Sequence, residues 1–415
     1  QQAADQVTIS NSIGSLRFLG TMDWREFVED MSVAEKSLRT DPAAAYAAMD
    51  FASRDRYRHV IERVAKTCGL PEDMVARRAI ELARAGAVRN GDRDRTAHVG
   101  FYLVDRGLPE LENAAQARLP PAAALRRAAS RSPLLLYLGA IALITAFVSA
   151  SLLIEAQADG VTDWALAPLG ILALLAASQL AVALVNWLTT LLATPHPLPR
   201  MDFSAGIPPE SRTLVVVPTM LTSPRNIERL VEALEVRFLA NRDGNLHFSL
   251  LTDFGDAAEE TLAEDADLLH LARERIDALN AQYAAGRNDV FFLFHRPRRW
   301  NPHDRIWMGY ERKRGKLADL NLLLREGNDE GFSLIVGATA VLAGVKYVIT
   351  LDTDTQLPRD AARQFVGTMA HPLNRPVYDE TLRRVRAGYG ILQPRVSASL
   401  PGINLSRYAH LHGGE

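Results

Sequence analysis

Two runs without a charged residue limit what this chain can become. Leu134 to Ile154 and Trp164 to Leu192 contain no Asp, Glu, Lys or Arg. Each reaches the roughly 20 residues that a helix needs to cross a bilayer. Buried helices of a large soluble core pass the same test, but two such runs joined by a short connector favour membrane spans. Arg126, Arg127 and Arg131 precede the first run, and Arg200 follows the second. The connector carries Glu155, Asp159 and Asp163 but no basic residue. The positive-inside rule then puts both flanking regions in the cytoplasm and the connector outside. Gln179 and Asn186, inside the second run, are expected to hydrogen-bond a neighbouring helix.

Residues 1–131 read as a helical cytoplasmic region. Trp24, Phe27, Val28, Met31 and Val33 make one amphipathic stretch, and Tyr57, Val60, Ile61 and Val64 another. Pro71-Glu72-Asp73 opens a further helix through Leu82, before the Asn90-Gly91-Asp92 turn. The run Arg54 to His59 reads as a solvated face of ion pairs or as a phosphate or headgroup patch. Cys68 is the single cysteine, so no internal disulfide can form, which fits a reducing compartment. A net charge of -2 does not suggest nucleic acid as a partner. No cleavable signal sequence is evident. The abrupt start at Gln1 and stop at Glu415 read as those of a segment from a longer polypeptide.

Residues 132–194 hold the two spans, and 195–210 form a Pro-rich linker with Pro195, Pro197 and Pro199. From 211 to 415 strands and helices alternate, the signature of a parallel α/β sheet. Strands are expected at Thr213–Val217, stopped by Pro218, and at Leu246–Thr252, Val290–Phe294, Tyr347–Thr350 and Gly390–Pro394. Helices are expected at Pro224–Leu239, Ala257–Tyr283, Arg314–Arg325 and Arg359–Met369, with a basic loop at Arg296–Lys313. Polar groups fall at the strand ends: Thr219, Asp253, and the pair Asp352 and Asp354. Strand ends converge on one crevice in a doubly wound sheet. Two carboxylates with one residue between them can grip a divalent cation, and the cation can clamp a diphosphate. Lys316 and Asn321 can reach the same crevice, the first as a counter-charge and the second as a reader of base or ribose. Taken singly, Asp253 reads equally as a helix cap and Lys316 as a solvent-facing lysine.

The conjunction of Val217-Pro218-Thr219, Thr252-Asp253, Gly315-Lys316 through Asn321, and Leu351-Asp352-Thr353-Asp354 resembles the GT-A nucleotide-sugar transferases of the processive, membrane-bound kind. More narrowly, Arg298 to Pro302, Gly309 to Lys316, Thr350 to Pro358, His371-Pro372-Leu373, Leu392 to Arg395 and the upstream Met49 to Arg58 resemble cyclic β-1,2-glucan synthases. The resemblance implies a Rossmann-like GT-A domain at 211–415, incomplete at its C-terminus. It implies an inverting glucosyltransferase that uses UDP-glucose and Mn or Mg at the cytoplasmic face of the bacterial inner membrane. Asp352 and Asp354 would hold the metal and diphosphate, Thr219 and Asp253 would contact uridine, and Lys316 with Asn321 would hold the donor. Partners would be the growing glucan, the bilayer, and a larger polypeptide with further spans and glycoamylase-like and phosphorylase domains.

The family's general base lies downstream of the two aspartates, beyond Glu415, and Glu415 itself reads as a loop residue. Tyr310, beside Gly309 in the basic loop, is either a self-glucosylation site or an aromatic that packs the loop. The competing functions are a synthase of a linear exported polysaccharide, cellulose-like, and a non-catalytic membrane scaffold with a degenerate transferase fold.

Overall fold

The structure, a computed structural model, describes residues 12, 15, 17, 23–117, 132–192, 195, 197–283 and 289–396. The expectation for Glu415 lies outside them. The first helices are α1 (Trp24–Met31), α2 (Val33–Leu38), α3 (Phe51–Cys68), α4 (Glu72–Asn90), α5 (Gly100–Val104) and α6 (Leu108–Ala114). In α3, Tyr57, Val60, Ile61 and Val64 form one buried face, in a core shared with Val75, Ala79 and Ile80 of α4. Asp50 caps α3 by accepting from the Ser53 amide at 3.0 Å, and Gly69 ends it at φ 69°. The arginine run is engaged internally. Arg58 pairs with Glu35 at 2.8 Å and Asp55 at 3.1 Å, and Arg54 with Glu29 at 2.8 Å. Arg58 and Glu35 are buried, so this is neither a headgroup patch nor a fully solvated face.

Helices α7 (Pro133–Ala158) and α8 (Asp163–Leu192) have 26 and 30 residues and are long and apolar enough to cross a membrane. At 1.5 Å per residue they extend about 39 and 45 Å, more than the ~30 Å hydrocarbon thickness. On α8, Ala173, Ala177, Ala181 and Val185 make a buried stripe, four residues apart, that allows close approach to α7. The Tyr137 hydroxyl of α7 donates to Asn186 Oδ1 at 2.8 Å, the inter-helix bond expected of that asparagine. Gln179 is exposed.

The chain then builds β1 (Thr213–Leu221), α9 (Pro224–Ala240), β2 (Leu246–Phe254), α10 (Asp265–Tyr283) and β3 (Phe291–His295). It continues through β4 (Arg299–Asn301), β5 (Ile306–Met308), α11 (Arg312–Glu326), β6 (Leu334–Val336), β7 (Tyr347–Thr350), α12 (Ala361–Ala370), β8 (Val377–Asp379) and β9 (Arg384–Ala387). The main sheet runs β6-β3-β2-β1-β7, parallel except for β6 against β3. Strand order therefore reverses between β1 and β7, the position where α/β sheets open a crevice. Side chains of β1 alternate between two cores. Val215 and Val217 pack with Leu230 and Leu234 of α9, and with Ile276 of α10. Leu214 and Val216 pack with Leu320 of α11, Phe292 and Phe294. Helices thus cover both faces, which is why β1 reads as a continuous apolar run.

Four expectations need correction. Strand β1 continues through Pro218, because β7 pairs with it only as far as Val216 and a missing amide is tolerated at such an edge. Helix α10 starts at Asp265, since Ala257 is held extended by mutual backbone bonds with Trp307 at 2.9 Å. The basic loop contains the β4–β5 hairpin, with Trp300 opposite Trp307. Residues Gly390–Pro394 are not a strand; the nearby pairing is the β8–β9 hairpin.

The helical region docks on the sheet domain. The Asp50 amide donates to Arg200 O at 3.1 Å, Arg95 donates to Leu373 O at 3.0 Å, and the His98 and His371 rings meet at 5.1 Å. Burial pushes His371 down to about 2.

Candidate functional site

The carboxyl ends of β1, β2 and β7 place Thr219, Asp253 and Asp352 at one edge of the sheet. Met220 of β1 is level with Asp253 of β2, and Val216 with Thr350 of β7. Strands β2 and β7 flank β1, so they are separated laterally by roughly 10 Å, with Asp253, level with Met220, four residues further along β1 than the last β7 pairing at Val216. Helix α11 closes the interval from above. Lys313 and Lys316 are three residues apart and so share a face of its first turns. Lys316 Nζ is 2.8 Å from Asp253 Oδ1 and also donates to the Thr219 carbonyl. Lys313 Nζ pairs with Asp352 Oδ1 at 2.5 Å. The first turns of α11 therefore contact both carboxylate positions.

The Asp253 side is buried. Asp253 is 2% exposed, and Arg296 lies 3.4 Å from its Oδ2. Arg296 also pairs with Asp319 at 2.7 Å and donates to the Tyr310 carbonyl at 2.9 Å. Gly309 covers the carboxylate so closely that an added Cβ would lie 2.0 Å from Oδ2. Gly315 is similarly required, because a Cβ there would meet the Tyr310 carbonyl at 2.2 Å. Behind Asp253, the His295 ring bonds Thr252 Oγ1 at 2.9 Å, and burial pushes it down to about 3. Burial also lowers Lys316, an effect the Asp253 charge partly offsets.

The Asp352 side is open. Asp352, Thr353 and Asp354 are exposed, and Tyr310 is 53% exposed with its ring outward from an anchored backbone. Among the described residues no group of three or more His, Cys, Asp or Glu could enclose a metal. The pair offers two hard oxygen donors and leaves other positions to water or a ligand, which suits Mg²⁺ or Mn²⁺ bound with a diphosphate. The Lys313 ammonium pairs with one of these oxygens, Asp352 Oδ1. Asn321 is separate: five residues past Lys316 it has turned about 140° around the helix, and it is exposed where Lys316 is buried.

Sequence reading assigned no separate role to Arg296, Lys313 or Gly309. Gly309 and Lys313 lie within the stretch Gly309 to Lys316 that carries the family resemblance, whereas Arg296 was marked only by its place directly after β3.

No protein-family model matches the chain. The chain is 39% identical over 409 residues to cyclic beta-(1,2)-glucan synthase NdvB of Rhizobium meliloti (strain 1021). The match takes in 96% of this chain and spans 14% of the length of that curated relative. The resemblance carried by the motifs thus extends along nearly the whole chain, which is similar to one segment of a cyclic beta-(1,2)-glucan synthase.

Proposed function

We propose that the chain is the donor-binding glycosyltransferase segment of a cyclic β-1,2-glucan synthase, a GT-A domain held at the cytoplasmic face of a membrane by α7 and α8. UDP-glucose is the donor, and transfer to the growing glucan inverts the anomeric carbon. The observation that carries this reading is the first turn of α11, which joins Asp253 and Asp352 through Lys316 and Lys313. Similarity to the synthase supplies the sugar and the linkage.

In this reading Asp352 and Asp354 hold a divalent cation, Mn²⁺ or Mg²⁺, that supplies positive charge to the donor diphosphate. Lys313 is exposed and flexible enough to leave Asp352 for a phosphate oxygen. Thr219 and Asp253 lie beneath the uridine. Asp253 shapes the floor of the base site, while Lys316 and Arg296 keep its carboxylate in place. Asn321 lies outside this cluster and takes no part in holding the donor in this reading. An inverting transfer needs a carboxylate to take the acceptor proton, and that base lies outside the described residues. Tyr310, ring outward at the crevice mouth, is the candidate self-glucosylation residue. The remaining spans and the glycoamylase-like and phosphorylase domains belong to the larger polypeptide.

The test is labelling by radioactive UDP-glucose with Mn²⁺ in the full-length protein. Asp354→Asn removes one charged ligand and is expected to lower labelling at least ~100-fold, the scale of losing a group that stabilises reaction charge. Labelling at wild-type rate would remove the two aspartates from the site.

A further inference from the structure

The loop that carries Asp352 and Asp354 is gripped from behind by the last turn of α9. Arg237 is only 5% exposed, yet among the described residues no carboxylate forms an ion pair with it. Its guanidinium donates instead to backbone carbonyls. Nη2 reaches Thr353 O at 2.8 Å, Thr355 O at 2.8 Å and Asp352 O at 3.4 Å, and Nε reaches Thr355 O at 3.1 Å. Asn241, one turn later and 3% exposed, continues the grip. Its Nδ2 donates to Leu357 O at 3.2 Å, and its Oδ1 accepts from the Ala362 amide at 3.1 Å. The i,i+4 spacing puts both side chains on one helix face.

Stability alone does not explain this choice. A buried charge without an ionic partner carries a desolvation cost that an apolar side chain of similar size avoids. Five donors in a rigid fork do one thing a Met or Leu cannot: they fix several carbonyls at once. With those carbonyls turned into the protein, the side chains of Asp352 and Asp354 remain outside and exposed. Burial lowers the Arg237 guanidinium, and the charge of Asp354 opposes that shift, so the two groups sense each other across the loop.

We infer that Arg237 and Asn241 are positioning residues that set the backbone of residues 352–357 and thereby aim both aspartates at the donor's cation. The inference rests on the proposed role of Asp352 and Asp354, and its test separates the two. The full-length protein is compared with Arg237→Met, Arg237→Lys and Asn241→Leu by two measurements. One is amide hydrogen exchange of residues 351–357. The other is UDP binding as a function of Mn²⁺ concentration.

Arg237→Met is expected to speed exchange in 351–357 at least about tenfold and to raise the Mn²⁺ needed for half-maximal UDP binding about tenfold, the scale of one or two lost hydrogen bonds. Peptides from β2 and β3 keep their protection, and saturating Mn²⁺ restores the wild-type level of UDP bound. Arg237→Lys falls between, keeping the charge without the fork. Asn241→Leu shifts the same two readouts by about threefold, less than one full hydrogen bond. If Arg237→Met does not fold, the other two variants decide. Wild-type exchange and wild-type Mn²⁺ dependence in both would overturn the inference. If the unmodified protein binds UDP with no dependence on divalent cations, the proposed role of the aspartates fails, and with it the aiming role, whereas loop exchange still reports whether Arg237 holds the backbone.

Discussion

Two carboxylate sites share this crevice, and they are built in opposite ways. Asp253 is 2% exposed, roofed by Gly309 and flanked by Lys316 and Arg296. The Asp352 side chain is 63% exposed and, among the described residues, pairs with the half-exposed Lys313. A buried carboxylate must be compensated inside the protein, so the residues around Asp253 form part of the fold. An exposed carboxylate keeps its water until a ligand replaces it, so the Asp352 side can exchange partners. The difference makes the Asp253 side rigid and leaves the Asp352 side free to exchange partners. In the second region only the backbone is fixed, and it is fixed from behind by α9.

The largest expected effect sets the two regions directly against each other. Lys316→Met leaves Asp253 buried beside a single cation at 3.4 Å, and breaking a buried pair in this way costs about 3–5 kcal/mol. Asp352→Asn should change stability by less than about 1 kcal/mol, since exposed pairs contribute little, while lowering UDP-glucose labelling severely. Denaturant unfolding of the two variants beside the unmodified protein measures both. Equal losses of stability would mean that burial does not distinguish the sites.

Acid should likewise act on the buried side. His295 is held down to about 3 by burial and by neighbouring cations, and His371 to about 2. An unfolded chain protonates each near 6.5, so below that pH the unfolded state binds more protons than the folded one. Stability is therefore complete above about pH 6.5 and falls as the pH drops from there toward the folded values. Between pH 7 and pH 5 each histidine should remove about 2 kcal/mol. His295→Gln should reduce the wild-type loss over that interval by about the same amount. An unchanged pH slope in that variant would show that His295 becomes protonated freely in the folded state, and that the Asp253 region is wetter than its geometry indicates.

Much of the scaffold was legible in the residues, and the energetics of the site were not. The continuous apolar run Leu214–Val217 of β1, the uncharged runs of α7 and α8, and the carboxylates at strand ends are local patterns. The burial of Asp253 is not local, because its two cations lie 43 and 63 positions further along the chain. Arg237 and Asn241 look like ordinary polar residues near the end of an amphipathic helix, and nothing within α9 reveals that their acceptors lie more than 110 positions away. The β4–β5 hairpin was hidden by its charge: Trp300 and Trp307 face each other, but arginines, a proline and an asparagine around them read as loop. The i,i+5 spacing of Lys316 and Asn321 could have been rejected from helical geometry alone, since it cannot hold both on one face.

The smallest effect probes the open side most sensitively. Lys313 and Asp352 are 50% and 63% exposed at their side chains, and a pair this solvated contributes at most about 0.5 kcal/mol to folding. Lys313→Gln should therefore leave the unfolding midpoint almost unchanged. Its effect should appear in ligand binding. If the ammonium merely occupies Asp352 until a divalent cation arrives, removing it relieves a weak competitor. The Mn²⁺ needed for half-maximal UDP binding should then fall about two- to threefold, equivalent to the same few tenths of a kcal/mol. A rise instead would place Lys313 on the diphosphate in the bound state. The Asp352 side would then carry its own built-in cation contact, as the Asp253 side does, and the contrast between an exchanging region and a rigid one would no longer hold.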